Sequence, residues 1–169
     1  MKALFLATVQ SHIAQFHLKT IEMLKQNEYE VHVAARDNLA EKNGLQLKNV
    51  DQVYNVPFCR SPFSPKNLRA YRELKKIIKE GGYDLIHCNT PVGGILTRLA
   101  ARKEAGTVLY TAHGFHFYKG APLKNWIFYY PMEKWMAHFT DKLITINEED
   151  YHLAQMKFKC PVYRIHGTG

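Results

Sequence analysis

Short apolar runs alternate along this chain with longer segments in which apolar and polar residues mix. Such runs are typical of strands that are buried on both faces of a parallel sheet. Strand followed by helix, repeated without interruption, predicts an α/β fold: a Rossmann-like, doubly wound, mostly parallel sheet of about seven strands. The predicted strands cover residues 3–7, 31–35, 53–56, 83–88, 108–112, 142–146 and 162–165.

Two of the intervening segments carry apolar residues at helical spacing. Ser11 is placed to cap a first helix that runs to about residue 27. The succession of strand, loop and helix N-terminus is a geometry that binds anions. Ser64 and Pro65 predict the N-cap and first residue of a second helix, which Gly81 and Gly82 terminate. The apolar positions are Ile13, Phe16, Thr20 and Leu24 in the first helix, and Leu68, Tyr71, Leu74 and Ile78 in the second.

A third helix is predicted from Pro91 to about residue 105. Gly93 and Gly94 lie in its first turn, where each lowers helix propensity by about 1 kcal/mol. Glycines in that position indicate close approach, either of a neighbouring helix or of a ligand.

The segment at residues 123–139 is predicted to be helical and is rich in aromatic residues and lysines. Pro131 predicts a kink, or two helices that meet there. Two interpretations remain open: a helix that lies flat on a membrane surface, or a large helix that packs its aromatic residues inward.

Composition narrows the class of protein. The 169 residues are 46% hydrophobic and 22% charged, which indicates one globular domain. The formal net charge of +8 favours phosphates, nucleic acid or an anionic membrane surface. Cys59, Cys88 and Cys160 follow no disulfide or zinc spacing, and the apolar start is too short for a secretory leader or a membrane span. We therefore expect a cytoplasmic protein.

The candidate site follows the strand at residues 108–112. The chain continues there as His113-Gly114-Phe115-His116, and the carboxyl ends of the strands are where open α/β sheets bind ligands. Histidine can exchange protons near neutral pH, and Gly114 lets the backbone approach a ligand. His113 is therefore the predicted reactive group, and His116 is expected to pack between Phe115 and Phe117.

Several motifs together resemble the N-terminal domain of bacterial family 4 glycosyltransferases, in the capsular and exopolysaccharide branch. The resemblance covers nearly the whole chain, and the aromatic His-Gly block is its most specific part. The matching segments are Thr111 to Tyr118, Gly120-Ala121-Pro122, Asn125-Trp126, Glu133-Lys134, Thr145 to Tyr151, Gly167-Thr168-Gly169, Asp84 to His87, Thr90-Pro91 and Arg98.

The resemblance implies an acceptor-binding half, residues 1–169, of a retaining, metal-independent GT-B enzyme that lacks its C-terminal donor-binding domain here. Such an enzyme moves a hexosyl or N-acetylhexosaminyl group from a nucleotide-sugar, expected to be a UDP-sugar, to a polyprenyl-diphosphate-linked glycan at the inner membrane face. It implies no cofactor and no metal, and this fragment alone is expected to be inactive. His113 takes the place of the family's active-site histidine, and the predicted acceptor- or donor-binding residues are Thr8, Ser11, His12, Asn89, Thr90, Gly114 and His116.

Alternatives remain. The chain could be a complete, non-catalytic module that docks a separate donor-binding subunit. A nucleotide-dependent oxidoreductase is disfavoured because the loop at residues 8–12 lacks glycines, and nucleic-acid binding rests on net charge alone. A zinc site at His113 and His116 lacks an evident third ligand, and Glu148, Glu149 and Asp150 are better explained by capping after Asn147 than by metal binding.

Overall fold

A computed structural model of the protein describes residues 1–42 and 44–167. Within them seven strands form one sheet in the order β3-β2-β1-β4-β5-β6-β7, and every neighbouring pair is parallel. The doubly wound, parallel α/β fold is thus confirmed. The strands are β1 (Lys2–Val9), β2 (Glu30–Arg36), β3 (Gln52–Asn55), β4 (Leu85–Asn89), β5 (Thr107–Ala112), β6 (Lys142–Thr145) and β7 (Val162–Arg164).

Helices cover both faces of the sheet. One apolar core lies around Leu4, Leu6 and Tyr110, and a second lies around Phe5 and Val33, so successive residues of β1 point to opposite faces. The helices are α1 (Gln10–Phe16), α2 (Leu18–Gln26), α3 (Lys66–Gly81), α4 (Pro91–Ala101), α5 (Leu123–Met136) and α6 (Glu148–Lys157), with short 3-10 turns at Leu39–Glu41 and Ala137–Phe139.

The strand order contains a switch point. After β1 the chain builds outward through β2 and β3, and it then crosses back to place β4 on the other side of β1. In sheets of this kind a crevice opens where the winding reverses, at the carboxyl ends of the two strands. Here that position lies beyond β1 and β4.

The first helix differs from the prediction in two ways. It is not continuous to residue 27, because the backbone breaks at His17 (φ −125°, ψ 3°) and restarts as α2. Ser11 is not its N-cap: Val9 occupies that position, and Ser11 lies buried inside α1. The Ser11 hydroxyl instead accepts a hydrogen bond from Nδ2 of Asn38, at 2.8 Å.

The predicted start of α3 is wrong by one residue. Pro65 is the N-cap and Lys66 begins the helix, while Gly82 ends it in the left-handed region (φ 58°), as expected. Leu68, predicted to face the core, is exposed, and the buried face is formed by Ala70, Leu74 and Ile78 with Asn67. The Asn67 side chain is buried because it bonds the backbone of the preceding loop at Cys59 and Ser61.

The glycines of α4 do allow a close approach, but to the sheet and not to a neighbouring helix. A Cβ atom at Gly94 would lie 2.6 Å from the Tyr110 ring, and one at Gly93 would lie 3.1 Å from the Thr8 amide. The first distance is shorter than real Cβ atoms show and the second is tighter than nine in ten real Cβ contacts, so these glycines let α4 pack closely against β5 and β1. The helix ends at Ala101, four residues earlier than predicted.

Helix α5 continues through Pro131 as one helix, so of the two predicted alternatives, a kink or two helices that meet there, the second is wrong. The interpretation that its aromatic residues pack inward holds for one side only. Trp126 and Tyr130 pack against the core on one side. The opposite side is exposed and carries Leu123, Ile127, Phe128, Met132 and Trp135.

The cap at α6 is confirmed. The Asn147 side chain accepts a hydrogen bond from the Asp150 amide at 2.8 Å, and three acidic residues occupy the first turn. The buried Asp150 carboxylate also accepts a bond from the backbone amide of Phe115, which ties α6 to the loop after β5. Thr168 and Gly169 of the resemblance lie outside the described residues.

Candidate functional site

A cavity of about 390 Å³ opens at the switch point. Its floor comes from the ends of β1 and β4, one wall from the loop after β5, and another wall from α5. Apolar side chains such as Val92, Met132 and Phe117 form most of the wall, with a few polar groups among them. A mainly apolar pocket with a small number of placed polar groups is the usual form of a small-molecule site.

His113 directly precedes the pocket-lining Gly114 and is half-buried. Its Nε2 atom lies 3.1 Å from Nε2 of His12 and 3.4 Å from Oδ1 of Asn89. The Asn89 amide nitrogen is committed to the Leu6 carbonyl, so its oxygen faces His113 and can only accept. This arrangement favours the His113 tautomer with hydrogen on Nε2, which leaves Nδ1 as an acceptor.

Two threonines link the ends of β1 and β4. The Thr8 amide donates to Oγ1 of Thr90 at 3.0 Å, and the two hydroxyl oxygens lie 2.8 Å apart. Thr90 has a positive φ of 63°, which is costly for a β-branched residue. Both residues line the cavity, so the strained backbone lies at the site itself.

The loop after β5 places two predicted residues in the cavity wall. Gly114 has φ 129°, a conformation that favours glycine, so a side chain here would be strained. His116 is exposed and stands edge-on to Tyr129, with 4.7 Å between ring centroids. The expectation that Phe115 and Phe117 enclose His116 is wrong, because those two rings stack on each other in the core.

The structure brings most of the predicted site residues together. Thr8, His12, Thr90, Gly114 and His116 line the cavity, and His113 and Asn89 lie directly behind His12. Ser11 does not line it, because its side chain points to Asn38.

Sequence reasoning missed several residues of this region. Arg60 lies at the cavity rim on the loop before α3, and Tyr129, Met132 and Glu133 come from α5. His17 and His87 lie beneath His12, with their ring centroids 5.2 Å apart. Of these residues, Arg60 alone could have been found from the sequence. It is a cation beside two prolines, in a loop at the carboxyl edge of the sheet.

The four clustered histidines are held neutral. Burial, and then the neighbouring rings, lower the pKa of both His12 and His17 to about 3. The same causes lower the pKa of the fully enclosed His87 to about 4, and burial alone lowers the pKa of His113. At neutral pH the cluster therefore carries no charge, and each ring offers one donor and one acceptor.

This predicts a pH-dependent stability. A histidine whose folded pKa lies below its unfolded value of about 6.5 takes up a proton on unfolding, so acid favours the unfolded chain. We expect the free energy of unfolding to be constant above pH 7 and to fall from pH 6.5 towards pH 4. His12, His17 and His87 should each contribute about 1 to 2 kcal/mol by pH 5.

Urea denaturation between pH 5 and pH 8, with a chelator present, measures this dependence. His87→Gln should flatten the slope, while His152→Gln, which removes an exposed histidine, should leave it unchanged. A free energy of unfolding that stays constant from pH 8 to pH 5 would show that these histidines are not held neutral by the fold.

None of the helices in the described part of the chain has the length and apolar character needed to cross a membrane. The side of α5 that carries Phe128 and Trp135 is exposed. It adjoins the cavity, because Tyr129 and Met132 belong to α5 and line the cavity wall.

Comparison with curated proteins gives two relatives. The EpsD protein of Bacillus subtilis (strain 168), which carries a provisional glycosyltransferase name, is 53% identical over 173 positions, covering 99% of this chain and 44% of EpsD. The UDP-Gal:alpha-D-GlcNAc-diphosphoundecaprenol alpha-1,3-galactosyltransferase of Escherichia coli is 27% identical over 142 residues, covering 83% of this chain and 36% of that enzyme. The chain thus spans less than half the length of either relative.

Solved structures show the same fold. Anabaena HepE, solved in complex with UDP and glucose, superposes with a TM-score of 0.64 at 17% identity, over 99% of this chain and 44% of HepE. The family model described as Glycosyl transferase 4-like matches residues 2–147, which include β1, the switch point and the His113 loop. The chain belongs to this glycosyl transferase 4-like family, and its parallel sheet is the Rossmann-like N-terminal half of the GT-B architecture.

Proposed function

We propose that residues 1–169 are the acceptor-binding domain of a retaining, metal-independent glycosyltransferase. It moves a hexosyl or N-acetylhexosaminyl group from a UDP-sugar to a polyprenyl-diphosphate-linked glycan, in capsule or exopolysaccharide synthesis. The observation that carries this proposal is the cavity at the switch point, in which a neutral histidine cluster meets apolar walls and the cation of Arg60.

Two parts of the acceptor, its sugar hydroxyls and its diphosphate, each find a suitable partner in the cavity. Sugar hydroxyls suit His12, Thr8 and Thr90, whose nitrogen and oxygen atoms can donate or accept. A diphosphate suits the guanidinium of Arg60, which can bind phosphate oxygens in pairs. The E. coli relative is named for an acceptor of this kind, a diphosphoundecaprenol-linked GlcNAc.

His113 would contact the transferred sugar. With hydrogen on Nε2 shared towards His12 and Asn89, its Nδ1 atom remains to accept a bond from a hydroxyl of the donor sugar. The ring is fixed by these contacts, so it would position the sugar without moving during the reaction. We assign His113 the role of a group that touches and orients the sugar.

The donor would bind chiefly to a C-terminal domain that faces this cavity. Cations and backbone amides of that domain would stabilise the leaving diphosphate, which explains how the reaction can proceed without a metal. HepE was solved with UDP and glucose, which supports a UDP-sugar as donor. On this account the chain alone does not catalyse transfer.

Isothermal titration calorimetry of the 169-residue chain tests whether this chain binds the acceptor. We expect it to bind a short polyprenyl-diphosphate-linked GlcNAc analogue and to bind UDP-GlcNAc and UDP-galactose weakly or not at all. Arg60→Gln should weaken acceptor binding, and Arg69→Gln, an exposed arginine on α3, is the matched control. Tight UDP-sugar binding without acceptor binding would contradict the assignment.

We also propose that the exposed face of α5 rests on an anionic membrane. Phe128 and Trp135 project from it, with Lys124 and Lys134 exposed beside them. An apolar face with flanking lysines binds the membrane interface, and each lysine contributes about 1 kcal/mol on anionic lipid. Since α5 also forms the cavity wall, a lipid-linked acceptor could enter from the membrane.

Liposome co-sedimentation measures this contact. The chain should sediment with vesicles that contain anionic phospholipid, and replacing Lys124 and Lys134 by glutamine should weaken binding by at least about tenfold. The same change at Lys75 and Lys76 on α3 should have a smaller effect. A lack of binding at low salt would refute a membrane role for α5.

A further inference from the structure

Three histidines converge at the floor of the cavity. His12, His17 and His113 each present a ring nitrogen, and these three atoms lie within 4.8 Å of one another. The two Nε2 atoms of His12 and His113 are only 3.1 Å apart. The three residues come from α1, from the break between α1 and α2, and from the loop after β5, so the fold and not local spacing brings them together.

One of these rings has an unmet hydrogen-bonding need. His17 is only 2% exposed, and its Nε2 atom has no hydrogen-bond partner among the residues that the structure describes. A buried polar nitrogen without a partner is destabilising, because it has lost its hydrogen bonds to water. The His17 ring lies beside those of His12 and His113, with 5.6 Å and 6.0 Å between the ring centroids.

We propose that His12, His17 and His113 together bind one divalent transition-metal ion, with Zn²⁺ as the best fit. Three imidazoles are a favourable donor set for zinc, and tetrahedral zinc with bonds of about 2.0–2.1 Å places its ligand nitrogens roughly 3.3 Å apart. The His12 and His113 nitrogens are already near that spacing, and rotation of the His17 ring closes the remaining distance.

The protein would fill three of the four coordination positions of the ion. Three protein ligands leave the fourth zinc position open, as in zinc sites that keep a bound water or an exogenous ligand. Because His12 lines the cavity while His17 is buried, that fourth position faces the cavity. An ion bound there would occupy the base of the proposed acceptor pocket.

Metal binding would be inhibitory, a consequence that rests on the proposed function. An imidazole coordinated through Nε2 gives up its contacts to Asn89 and turns its free nitrogen into a donor. His113 could then no longer accept a bond from the sugar. Metal binding itself does not depend on the transfer reaction, so the two ideas can fail separately.

The test is titration of the chelator-treated chain with Zn²⁺ alone by calorimetry, and with Co²⁺ alone by visible absorption, which reports tetrahedral coordination. We expect one ion per chain, a tetrahedral Co²⁺ spectrum, and loss of that spectrum when Zn²⁺ is added. Both His17→Gln and His12→Gln should lower the Zn²⁺ affinity by at least about tenfold. Circular dichroism establishes that each variant is folded.

His116→Gln is the discriminating control, since His116 lines the same cavity but lies outside the three-histidine group. It should keep the wild-type Zn²⁺ affinity. The proposal is overturned if the chain binds no ion at millimolar Zn²⁺, if folded His17→Gln and His12→Gln variants bind as tightly as wild type, or if His116→Gln abolishes binding.

Discussion

Replacing Glu133 by glutamine is expected to lower the free energy of unfolding by about 3 to 5 kcal/mol. Glu133 is buried and accepts a 2.9 Å bond from Nη2 of Arg98, which is itself only 1% exposed. Removal of the carboxylate charge leaves the Arg98 cation buried without a counter-charge, and that is the costly state.

Among residues 1–42 and 44–167, Glu133 is the one carboxylate that pairs with Arg98. Its Nε atom donates to the Gly94 carbonyl, and its guanidinium lies 3.9 Å from the centroid of the Tyr110 ring, so it cannot turn to solvent. The pair therefore joins α4, β5 and α5 behind the cavity. Since Glu133 lies on the α5 segment that lines the cavity, its loss should also loosen that wall.

Urea denaturation at pH 7.5 measures the effect, and the melting temperature should fall by roughly 6 to 20 °C. Glu73→Gln is the matched control, because its bond to Arg69 lies on an exposed surface of α3 and should contribute less than about 1 kcal/mol. The double replacement Arg98→Met with Glu133→Leu should recover much of the loss. Equal small effects of Glu133→Gln and Glu73→Gln would show that the buried pair is not structurally important.

The second large effect is expected at His113. On the proposed function, His113→Ala in the full-length protein should reduce the rate of sugar transfer by at least about 100-fold, because it would remove a fixed hydrogen-bonding group beside the reacting sugar. The loss should appear mainly in kcat if, as proposed, the donor is held chiefly by the other domain. His152→Ala, at an exposed histidine on α6, is the control.

The central strands of the sheet could be predicted from local sequence because they are buried on both faces. The apolar run at residues 3–7 is fully buried in β1, as continuous hydrophobicity demands. Helix ends were less predictable. Serine is a favoured N-cap residue, but the Ser11 hydroxyl accepts a hydrogen bond from Asn38, which is 27 residues away. His17 breaks the first helix without the glycine or proline that would mark such a break.

The predicted residues that the structure brings together lie at the end of a strand or shortly after one. His113, Thr90 and Thr8 lie at the carboxyl ends of β5, β4 and β1, so the parallel sheet alone brings them together. The residues of the site that are brought together by long-range packing could not be recognised from local sequence. His17 reaches His113 through a backbone break, and Glu133 meets Arg98 across 35 residues.

The most direct test of the central claim is the rate at which the full-length protein transfers a labelled sugar from UDP-GlcNAc or UDP-galactose to a polyprenyl-diphosphate-linked glycan, with a chelator present. The wild type and His152→Ala should both transfer the sugar, and a folded His113→Ala variant should be at least about 100-fold slower. Transfer by His113→Ala at the wild-type rate would contradict the role assigned to this histidine and to the cavity beside it.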